Sequence, residues 1–314
     1  MKEADSILIT GGSGLVGKNL SLYLSESGYI SILSPTSEEC DLADNRQVDA
    51  FFAKHKPSHV FHLAGRVRGL GGNINDQGVA YYDNIMINTN VVEACHRFGV
   101  KKIVAMGTVA MYPDPLPRNP LAEDSIWQGK PHHSEYGYAQ AKRAMLAQLE
   151  AYGENYGLPW ALVLSTNLYG PYDRFDTKTG HVIPSLIRKF HDAKTSGGTV
   201  QVWGDGSATR DFLYVKDTVR ALHQIMQGVE GTINMATGQT HSIRQVVNML
   251  SSLTGLADRV VWDSKMPGGQ LFRAYDVSKL TKAGFTCQYD LLAGLKETYC
   301  WYEANAASAR KDGP

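Results

Sequence analysis

The chain has 314 residues, and its 31 Lys and Arg residues balance 31 Asp and Glu residues. This balance provides no general polyanion-binding surface, so we expect neither nucleic acid nor a membrane surface among the partners. The N-terminus has no signal-peptide core, and no apolar run reaches the roughly 18 residues of a membrane span, which predicts a cytoplasmic protein. The four cysteines lack metal-site and disulfide spacing, and we expect no metal and reduced, buried thiols.

Short apolar runs alternate with helical patterns in the first half of the chain. The predicted strands are Ser6–Thr10, Tyr29–Leu33, Ser58–Leu63, Lys102–Gly107 and Trp160–Ser165. The predicted helices begin near Gly14, cover Asn45–Lys54 and Tyr81–Phe98, and include the segment around Tyr138. Such alternation predicts an α/β fold with a doubly wound, Rossmann-type parallel sheet.

The alternation is less regular after Leu168. The predicted helices there are Val182–His191, Ser242–Leu253 and Leu291–Asn305, and the predicted strands are Val200–Trp203, Asp211–Val215 and Arg259–Trp262. Residues 306–314 are expected to form a frayed tail. We therefore predict a dinucleotide-binding domain at 1–167 and mainly a smaller α/β substrate lobe at 168–314, with some segments returning to the core. The lobe would close over the carboxyl edge of the sheet, where such folds bind ligands.

A glycine-rich segment, Thr10-Gly-Gly-Ser-Gly-Leu-Val-Gly17, joins the first strand to the first helix. Its Gly-x-x-Gly-x-x-Gly spacing permits a tight turn and close approach of the backbone to a pyrophosphate. The N-terminus of the helix would then face the phosphates. The predicted cofactor contacts in this segment are Gly11, Ser13, Gly14, Leu15, Val16 and Gly17.

The second strand indicates which dinucleotide is bound. It ends Leu33-Ser-Pro-Thr36, without the carboxylate that grips the ribose of NAD. The hydroxyls of Ser34 and Thr36 tolerate a 2′-phosphate, which favours NADP(H). Asp41, followed by Leu42, either accepts a hydrogen bond from the adenine amino group or caps the next helix, and both readings stay open.

Tyr138 and Lys142 are four residues apart and so lie on one face of a helix. An ammonium beside a phenol is expected to lower the pKa of the tyrosine and to make it a proton donor and acceptor near neutral pH. Thr108, at the end of the fourth strand, is either a turn residue or a second donor to a carbonyl oxygen. Combined with the glycine-rich segment, these residues predict nicotinamide redox chemistry on a carbonyl or an alcohol.

These features together resemble the extended short-chain dehydrogenase/reductase superfamily and, within it, the GDP-L-fucose synthases, from about Ile7 to about Tyr302. The markers are the glycine-rich segment, the Tyr138/Lys142 pair, Phe61-His-Leu-Ala64, Thr166-Asn-Leu-Tyr-Gly-Pro171, Gly180-His-Val-Ile-Pro184 and Val202-Trp-Gly204. Members of that family epimerise carbons 3 and 5 of GDP-4-keto-6-deoxymannose and reduce its 4-ketone with NADPH. The resemblance implies a homodimer formed through the helices at Tyr81–Phe98 and Tyr136–Tyr156.

The resemblance also implies roles for individual residues. Thr108, Tyr138 and Lys142 match the reductase triad. His181, which is otherwise a capping or surface residue, matches the acid/base histidine of epimerisation. Further implied cofactor contacts are Leu63, Ala64, Lys142 and His181. The implied substrate contacts are Thr108, Asn167, Lys189, Trp203 and Arg210, of which Arg210 is either the diphosphate clamp or an ordinary surface arginine.

The chain departs from that family at two places. Ala110 stands where the family has the epimerising cysteine, and a methyl group cannot exchange protons. The segment Lys265-Met-Pro-Gly-Gly-Gln270 also differs from the family pattern. We therefore predict an NADP-dependent 4-ketoreductase of a GDP-linked 4-keto-6-deoxy sugar, with a weak or absent 3,5-epimerase step.

Three alternatives remain open from the sequence. The first is a bifunctional GDP-L-fucose synthase that uses His181 and another base. The second is a nucleotide-sugar 4-epimerase, which keeps NAD bound. The third is a protein that binds NADP without catalysis.

Overall fold

The computed structural model describes residues 1–66, 76–177, 180–264 and 273–311. The strands in these ranges are β1 (Ile7–Thr10), β2 (Ile32–Leu33), β3 (His59–His62), β4 (Lys102–Thr108), β5 (Trp160–Ser165), β6 (Asn167–Tyr169), β7 (Val200–Trp203), β8 (Thr209–Arg210), β9 (Phe212–Tyr214), β10 (Gly231–Met235), β11 (His241–Ser242) and β12 (Val260–Asp263). The α-helices are α1 (Leu15–Glu26), α2 (Asn45–His55), α3 (Gln77–Arg97), α4 (Tyr136–Tyr156), α5 (Val182–Ser196), α6 (Val215–Gly228), α7 (Ile243–Thr254), α8 (Ser278–Lys282) and α9 (Leu291–Asn305).

A six-stranded sheet with the order β10-β5-β4-β3-β1-β2 forms the centre of the molecule. Every neighbouring pair in it is parallel. The chain runs from β1 outward to β2 and then crosses back to β3 on the other side of β1. The carboxyl ends of β1 and β3 therefore flank the switch point at which doubly wound sheets bind ligands. The predicted fold class is confirmed.

Both faces of this sheet are buried. Successive strand residues point to opposite faces, so Ile7 and Ile9 lie in one apolar cluster and Leu8 lies in the other. Residues of α1 and α6 cover the first face, and residues of α2, α3 and α4 cover the second. Burial on both sides explains why the strands read as continuous apolar runs rather than alternating ones.

The sequence missed α6 and β10, which return to the central sheet. β10 pairs with β5 from Gly231 opposite Ala161 to Met235 opposite Ser165. Asn234 interrupts the apolar pattern of β10, but it is fully buried and accepts a hydrogen bond from the Tyr112 hydroxyl at 2.7 Å. Both elements lie after residue 167, where we expected some segments of the chain to return to the dinucleotide-binding core. The division at 167/168 itself stays a prediction.

The remaining strands form small parallel and antiparallel pairs beside the sheet: β6 with β9, β7 with β12, and β8 with β11.

The predicted frayed tail is wrong for its described part, because the Phe175 N–H donates to the Arg310 carbonyl at 2.7 Å. Two cysteines also differ from expectation: Cys287 and Cys300 are exposed, whereas Cys40 and Cys95 are buried. Among the described residues we find no helix long and apolar enough to cross a bilayer, and no cluster of three or more side chains suited to a metal.

Candidate active site

The glycine-rich loop lies between the end of β1 and the start of α1. Gly11 has a φ of +71°, and a Cβ atom there would lie 2.9 Å from the backbone nitrogen of Ala64. A Cβ atom at Gly17 would collide with the Gly11 carbonyl oxygen. Only glycine fits these two positions, because the first needs a left-handed backbone and the second needs close packing of helix against strand.

The N-terminus of α1 suits the phosphates of a dinucleotide. Gly14 is its N-cap residue, and within the described ranges no side chain caps the helix and no acidic residue lies in its first turn. The first-turn N–H groups of Leu15, Val16 and Gly17 have no intrahelical acceptor, and the helix dipole favours negative charge there. The loop therefore fits a pyrophosphate.

The end of the second strand lies against the same loop. A Cβ atom at Gly12 would collide with the Ser34 hydroxyl, which places that hydroxyl directly beside the turn. The Thr36 N–H donates to the carboxylate of Glu39 at 2.8 Å. A carboxylate is thus present near the strand end, although the strand itself ends without one. Ser34, Thr36 and Glu39 are all exposed.

Asp41 and Leu42 follow this region. Asp41 accepts a hydrogen bond from the Ala43 N–H at 3.0 Å, whereas Asp44 is the residue that caps α2. The helix-capping reading of Asp41 is therefore wrong, and its carboxylate orders the turn before the helix. The Leu42 carbonyl accepts from Asn90 of α3 at 2.9 Å.

Lys142 is buried at the carboxyl edge of the sheet. Its side chain leaves only 2 % of its surface exposed, and burial lowers the pKa of the ammonium to about 8. A Cβ atom at Gly65 would lie 3.6 Å from the Lys142 Nζ. The ammonium therefore lies against the loop that leaves β3, next to Leu63 and Ala64 in the chain.

Tyr138 lies one helical turn before Lys142 on α4. Burial of the phenol and, after it, the carboxylate of Glu135 raise the pKa of Tyr138. The predicted lowering of this pKa is wrong, because burial and the Glu135 carboxylate shift it in the opposite direction. Tyr138 therefore keeps its proton at neutral pH, as a proton donor must.

Thr108 is the last residue of β4 and is paired in register with Ser165 of β5. Its hydroxyl oxygen accepts from the Ala110 N–H at 3.2 Å. The hydroxyl proton can still be donated to another oxygen, so this turn contact is compatible with the donor role, which stays a prediction. Ala110 lies in a short 3-10 helix at Val109–Met111 and is 7 % exposed.

Two of the predicted substrate residues lie together on the smaller lobe. The Lys189 ammonium donates to the Gln201 carbonyl at 3.1 Å and lies 5.1 Å from the centroid of the Trp203 ring. Lys189 and Trp203 thus form a cation–π pair. Asn167 lies at the start of β6 and donates to the Asp211 carbonyl at 3.1 Å.

His181 immediately precedes α5 and is exposed. His181 is the N-cap residue of that helix, but within the described ranges its side chain makes no capping hydrogen bond, so its exposure fits the surface alternative better than the capping one. Desolvation by neighbouring groups and then the charge of Arg174 lower the pKa of the His181 imidazole. Its part in the reaction stays a prediction.

A charged cluster lies near Tyr138, and two of its residues, Glu135 and Arg273, were missed from the sequence. Arg210, in β8, is half-buried, and burial lowers the pKa of its guanidinium, with smaller effects from Tyr275, Arg273 and Glu135. The Arg273 guanidinium donates to the Val109 carbonyl at 3.4 Å, which places it over the segment that follows Thr108. Glu135 could have been found, because it is three residues before Tyr138. The departure at Lys265–Gln270 lies outside the described residues.

Residues 7–236 match the model of the NAD dependent epimerase/dehydratase family. The chain belongs to this family. Among its relatives, the probable GDP-L-fucose synthase 1 of Oryza sativa subsp. japonica is 35 % identical over 98 % of this chain and 95 % of that protein. The GDP-L-fucose synthase of Escherichia coli (strain K12) is 34 % identical over 95 % of this chain and 97 % of its own.

Solved structures of the family agree with this assignment. A GDP-mannoheptose C4 reductase from Campylobacter jejuni with NADP bound has a TM-score of 0.88 at 30 % identity, covering 96 % of this chain and 99 % of its own. A GDP-L-fucose synthetase from Naegleria fowleri bound to NADP has a TM-score of 0.89 at 31 % identity, covering 99 % and 96 %. The predicted likeness to the GDP-L-fucose synthases is confirmed.

Proposed function

We propose that the protein reduces the 4-ketone of a GDP-linked 4-keto-6-deoxy sugar with NADPH. The predictions of an enzyme and of NADP(H) are confirmed by relatives named GDP-L-fucose synthases and by the NADP-bound reductase from Campylobacter jejuni. The observation that carries the proposal lies in this chain: a phenol that keeps its proton is one turn from a buried ammonium, which in turn lies against the loop leaving β3.

Three side chains have separate roles in the proposed carbonyl reduction. The hydride itself comes from the reduced nicotinamide when NADPH is bound. Tyr138 donates its proton to the carbonyl oxygen as negative charge develops there. Thr108 donates a second hydrogen bond to the same oxygen. The Lys142 ammonium stabilises the phenolate that remains and orients the cofactor ribose.

The glycine-rich loop and the smaller lobe hold the two reactants in this proposal. The first turn of α1 binds the pyrophosphate of NADP(H), and Ser34 and Thr36 accommodate the 2′-phosphate. Arg210 binds the diphosphate of the sugar nucleotide, because a guanidinium can donate two parallel hydrogen bonds to phosphate oxygens. Lys189, Trp203 and Asn167 complete the substrate site.

We further propose that carbons 3 and 5 of the sugar keep their configuration. Inversion at a carbon next to a ketone needs a base within reach of one face and an acid within reach of the other. His181 supplies one such group. Ala110 presents a buried methyl group where the family cysteine supplies the second.

Solvent exchange tests this proposal. The protein is incubated with GDP-4-keto-6-deoxymannose and NADPH in deuterated water, and the product is analysed by mass spectrometry and NMR. We expect reduction at carbon 4 without deuterium at carbons 3 and 5. Deuterium at both carbons, gained at the rate of turnover, would instead identify a bifunctional GDP-L-fucose synthase.

A homodimer built on α3 and α4 belongs to the same proposal. Tyr81, Tyr82 and Tyr136 of these helices and the neighbouring Trp127 are exposed, Tyr82 by 63 %. Three of them, Tyr81, Tyr136 and Trp127, border an open cavity of ≈ 630 Å³, together with Gly78, Gln140 and Ala147. A contiguous apolar patch of this kind is typical of an interface.

We also propose a cytoplasmic location. The exposed unpaired thiols Cys287 and Cys300 fit a reducing, cytoplasmic compartment.

A further inference from the structure

A buried chain of hydrogen bonds lies beneath the candidate active site. Thr10, His62 and Asn88 are each 0 % exposed. The Thr10 hydroxyl oxygen lies 2.8 Å from His62 Nδ1, and His62 Nε2 lies 3.0 Å from Asn88 Oδ1. Thr10 and His62 face each other in register at the carboxyl ends of β1 and β3.

The outer partners assign the direction of every bond in this chain. The Asn88 side-chain nitrogen donates to the Ala141 carbonyl at 3.4 Å, so Asn88 Oδ1 is an acceptor and His62 Nε2 carries the proton. Nδ1 of the neutral ring then accepts from the Thr10 hydroxyl. The Thr10 oxygen accepts in turn from the Ala64 N–H at 3.2 Å. The hydrogen bonds thus connect the Ala64 N–H to the Ala141 carbonyl, and each donor along the way has one acceptor.

Both ends of this chain adjoin Lys142. Ala141 precedes Lys142 on α4, and Ala64 precedes Gly65, whose Cβ position lies 3.6 Å from the Lys142 Nζ. Burial and then the charge of Lys142 lower the pKa of His62 to about 3, which keeps the ring in the neutral form that the chain requires.

We propose that His62 is a positioning residue that fixes the cofactor loop and the catalytic lysine relative to each other. It acts through its two ring nitrogens: Nδ1 holds the loop at Ala64 by way of Thr10, and Nε2 holds α4 at Ala141 by way of Asn88. The measurements of kcat rest on the proposed function, because they need sugar reduction. The measurements of NADPH binding do not.

Two substitutions separate the two ring nitrogens. His62→Asn places an amide oxygen near the position of Nδ1, so it retains an acceptor for Thr10 and loses the bond to Asn88. His62→Gln places an amide N–H near the position of Nε2, so it retains the bond to Asn88 and loses the one to Thr10. His59→Gln is the matched control, because His59 is also buried on β3 but lies at the strand's opposite end.

The readouts are the Kd of NADPH, measured by fluorescence titration, and kcat for sugar reduction. We expect His62→Gln to raise the Kd of NADPH about three- to tenfold, the loss that one buried hydrogen bond produces, with a smaller change in kcat. We expect His62→Asn to lower kcat by about the same factor, with the Kd of NADPH within about twofold of wild type. His59→Gln should change neither quantity.

The proposal is overturned if the two variants change the Kd and kcat in the same proportion, if neither variant changes them, or if both changes merely follow a loss of thermal stability. If the wild type reduces no GDP-linked keto sugar, the proposed function fails. The Kd of NADPH then still decides the role of His62, because only the His62→Gln variant should bind NADPH more weakly.

Discussion

Burial moves the pKa values of Tyr138 and Lys142 in opposite directions, raising that of the phenol and lowering that of the ammonium to about 8. Two groups one helical turn apart thus have distinct states near neutral pH, with Tyr138 protonated and Lys142 charged. Environments that separate the pKa values of neighbouring groups in this way commonly assign catalytic roles. This separation supports the proposed roles of Tyr138 as proton donor and Lys142 as the charge that stabilises the phenolate.

The pKa of Lys142 predicts a pH limit for activity. As the pH rises through about 8, the ammonium loses its proton and can no longer stabilise a phenolate. We expect kcat/KM for NADPH, which reports the free enzyme, to fall in this range. Lys142→Met should be slow at every pH and should not show this fall of kcat/KM. Lys101→Met, at an exposed position, should still show it. A wild-type profile that stays flat well above pH 8 would contradict the assignment.

Tyr138→Phe should separate catalysis from cofactor binding. Loss of the donated proton should reduce turnover on the order of 10²- to 10⁴-fold, while the Kd of NADPH and the melting temperature stay near those of wild type. Tyr156→Phe, on the exposed far end of the same helix, is the control. Unchanged turnover in Tyr138→Phe would favour a protein that binds NADP without using this tyrosine.

Glu135→Gln should strengthen nucleotide binding. The Glu135 carboxylate lies in the field of Arg210 and Arg273, so its removal leaves the proposed diphosphate site more positive. We expect the Kd of GDP to fall about threefold at low salt, with the difference shrinking as salt screens the charges. Glu150→Gln, at an exposed position of α4, should leave the Kd unchanged. Weaker binding of GDP to Glu135→Gln would show that the carboxylate orients the arginines instead.

Ala110→Cys should restore proton exchange next to the ketone. The new thiol would occupy the position of the family cysteine, two residues after Thr108. We expect solvent deuterium to appear at carbon 3 or carbon 5 of the sugar at a rate above the wild-type background, as detected by NMR. Ala110→Ser, with a far less acidic side chain, is the control. Equal incorporation by wild type and Ala110→Cys would refute the role given to Ala110.

Tyr81→Glu should convert the proposed dimer into a monomer. A carboxylate beside the cavity between α3 and α4 would be desolvated if two copies met there, at a cost that an apolar interface cannot offset. Light scattering during size-exclusion chromatography measures the mass directly. Leu22→Glu adds the same charge at an exposed apolar position on α1 and should stay dimeric. A monomeric wild type would exclude this interface.

Much of the fold follows from local sequence. The strand at Val200–Trp203 and the helix at Leu291–Asn305 have their predicted bounds, because regular apolar spacing ends abruptly at both. β10 was missed since Asn234 breaks its apolar run, and its partner Tyr112 lies far away in the chain. Such compensation of a buried polar group is invisible before the chain is folded.

Some features of the candidate site also follow from local sequence, whereas others depend on tertiary structure. The Tyr138/Lys142 pair follows from a helical spacing of four, and the glycine-rich loop follows from its place between a strand and a helix. The direction of the Tyr138 pKa does not follow, because burial depends on elements distant in the chain. The approach of Arg210 and Arg273 to Glu135 is likewise a product of tertiary structure.

Transfer of an isotopic label from the cofactor to the sugar shows whether the protein reduces a 4-ketone with NADPH. NADPH deuterated at the transferable position of the nicotinamide is reacted with GDP-4-keto-6-deoxymannose in ordinary water, and the product is examined by NMR. We expect one deuteron at carbon 4 of a GDP-linked 6-deoxy sugar that retains its configuration at carbons 3 and 5. Consumption of the sugar without deuterium at carbon 4, or a product inverted at carbons 3 and 5, would contradict this expectation.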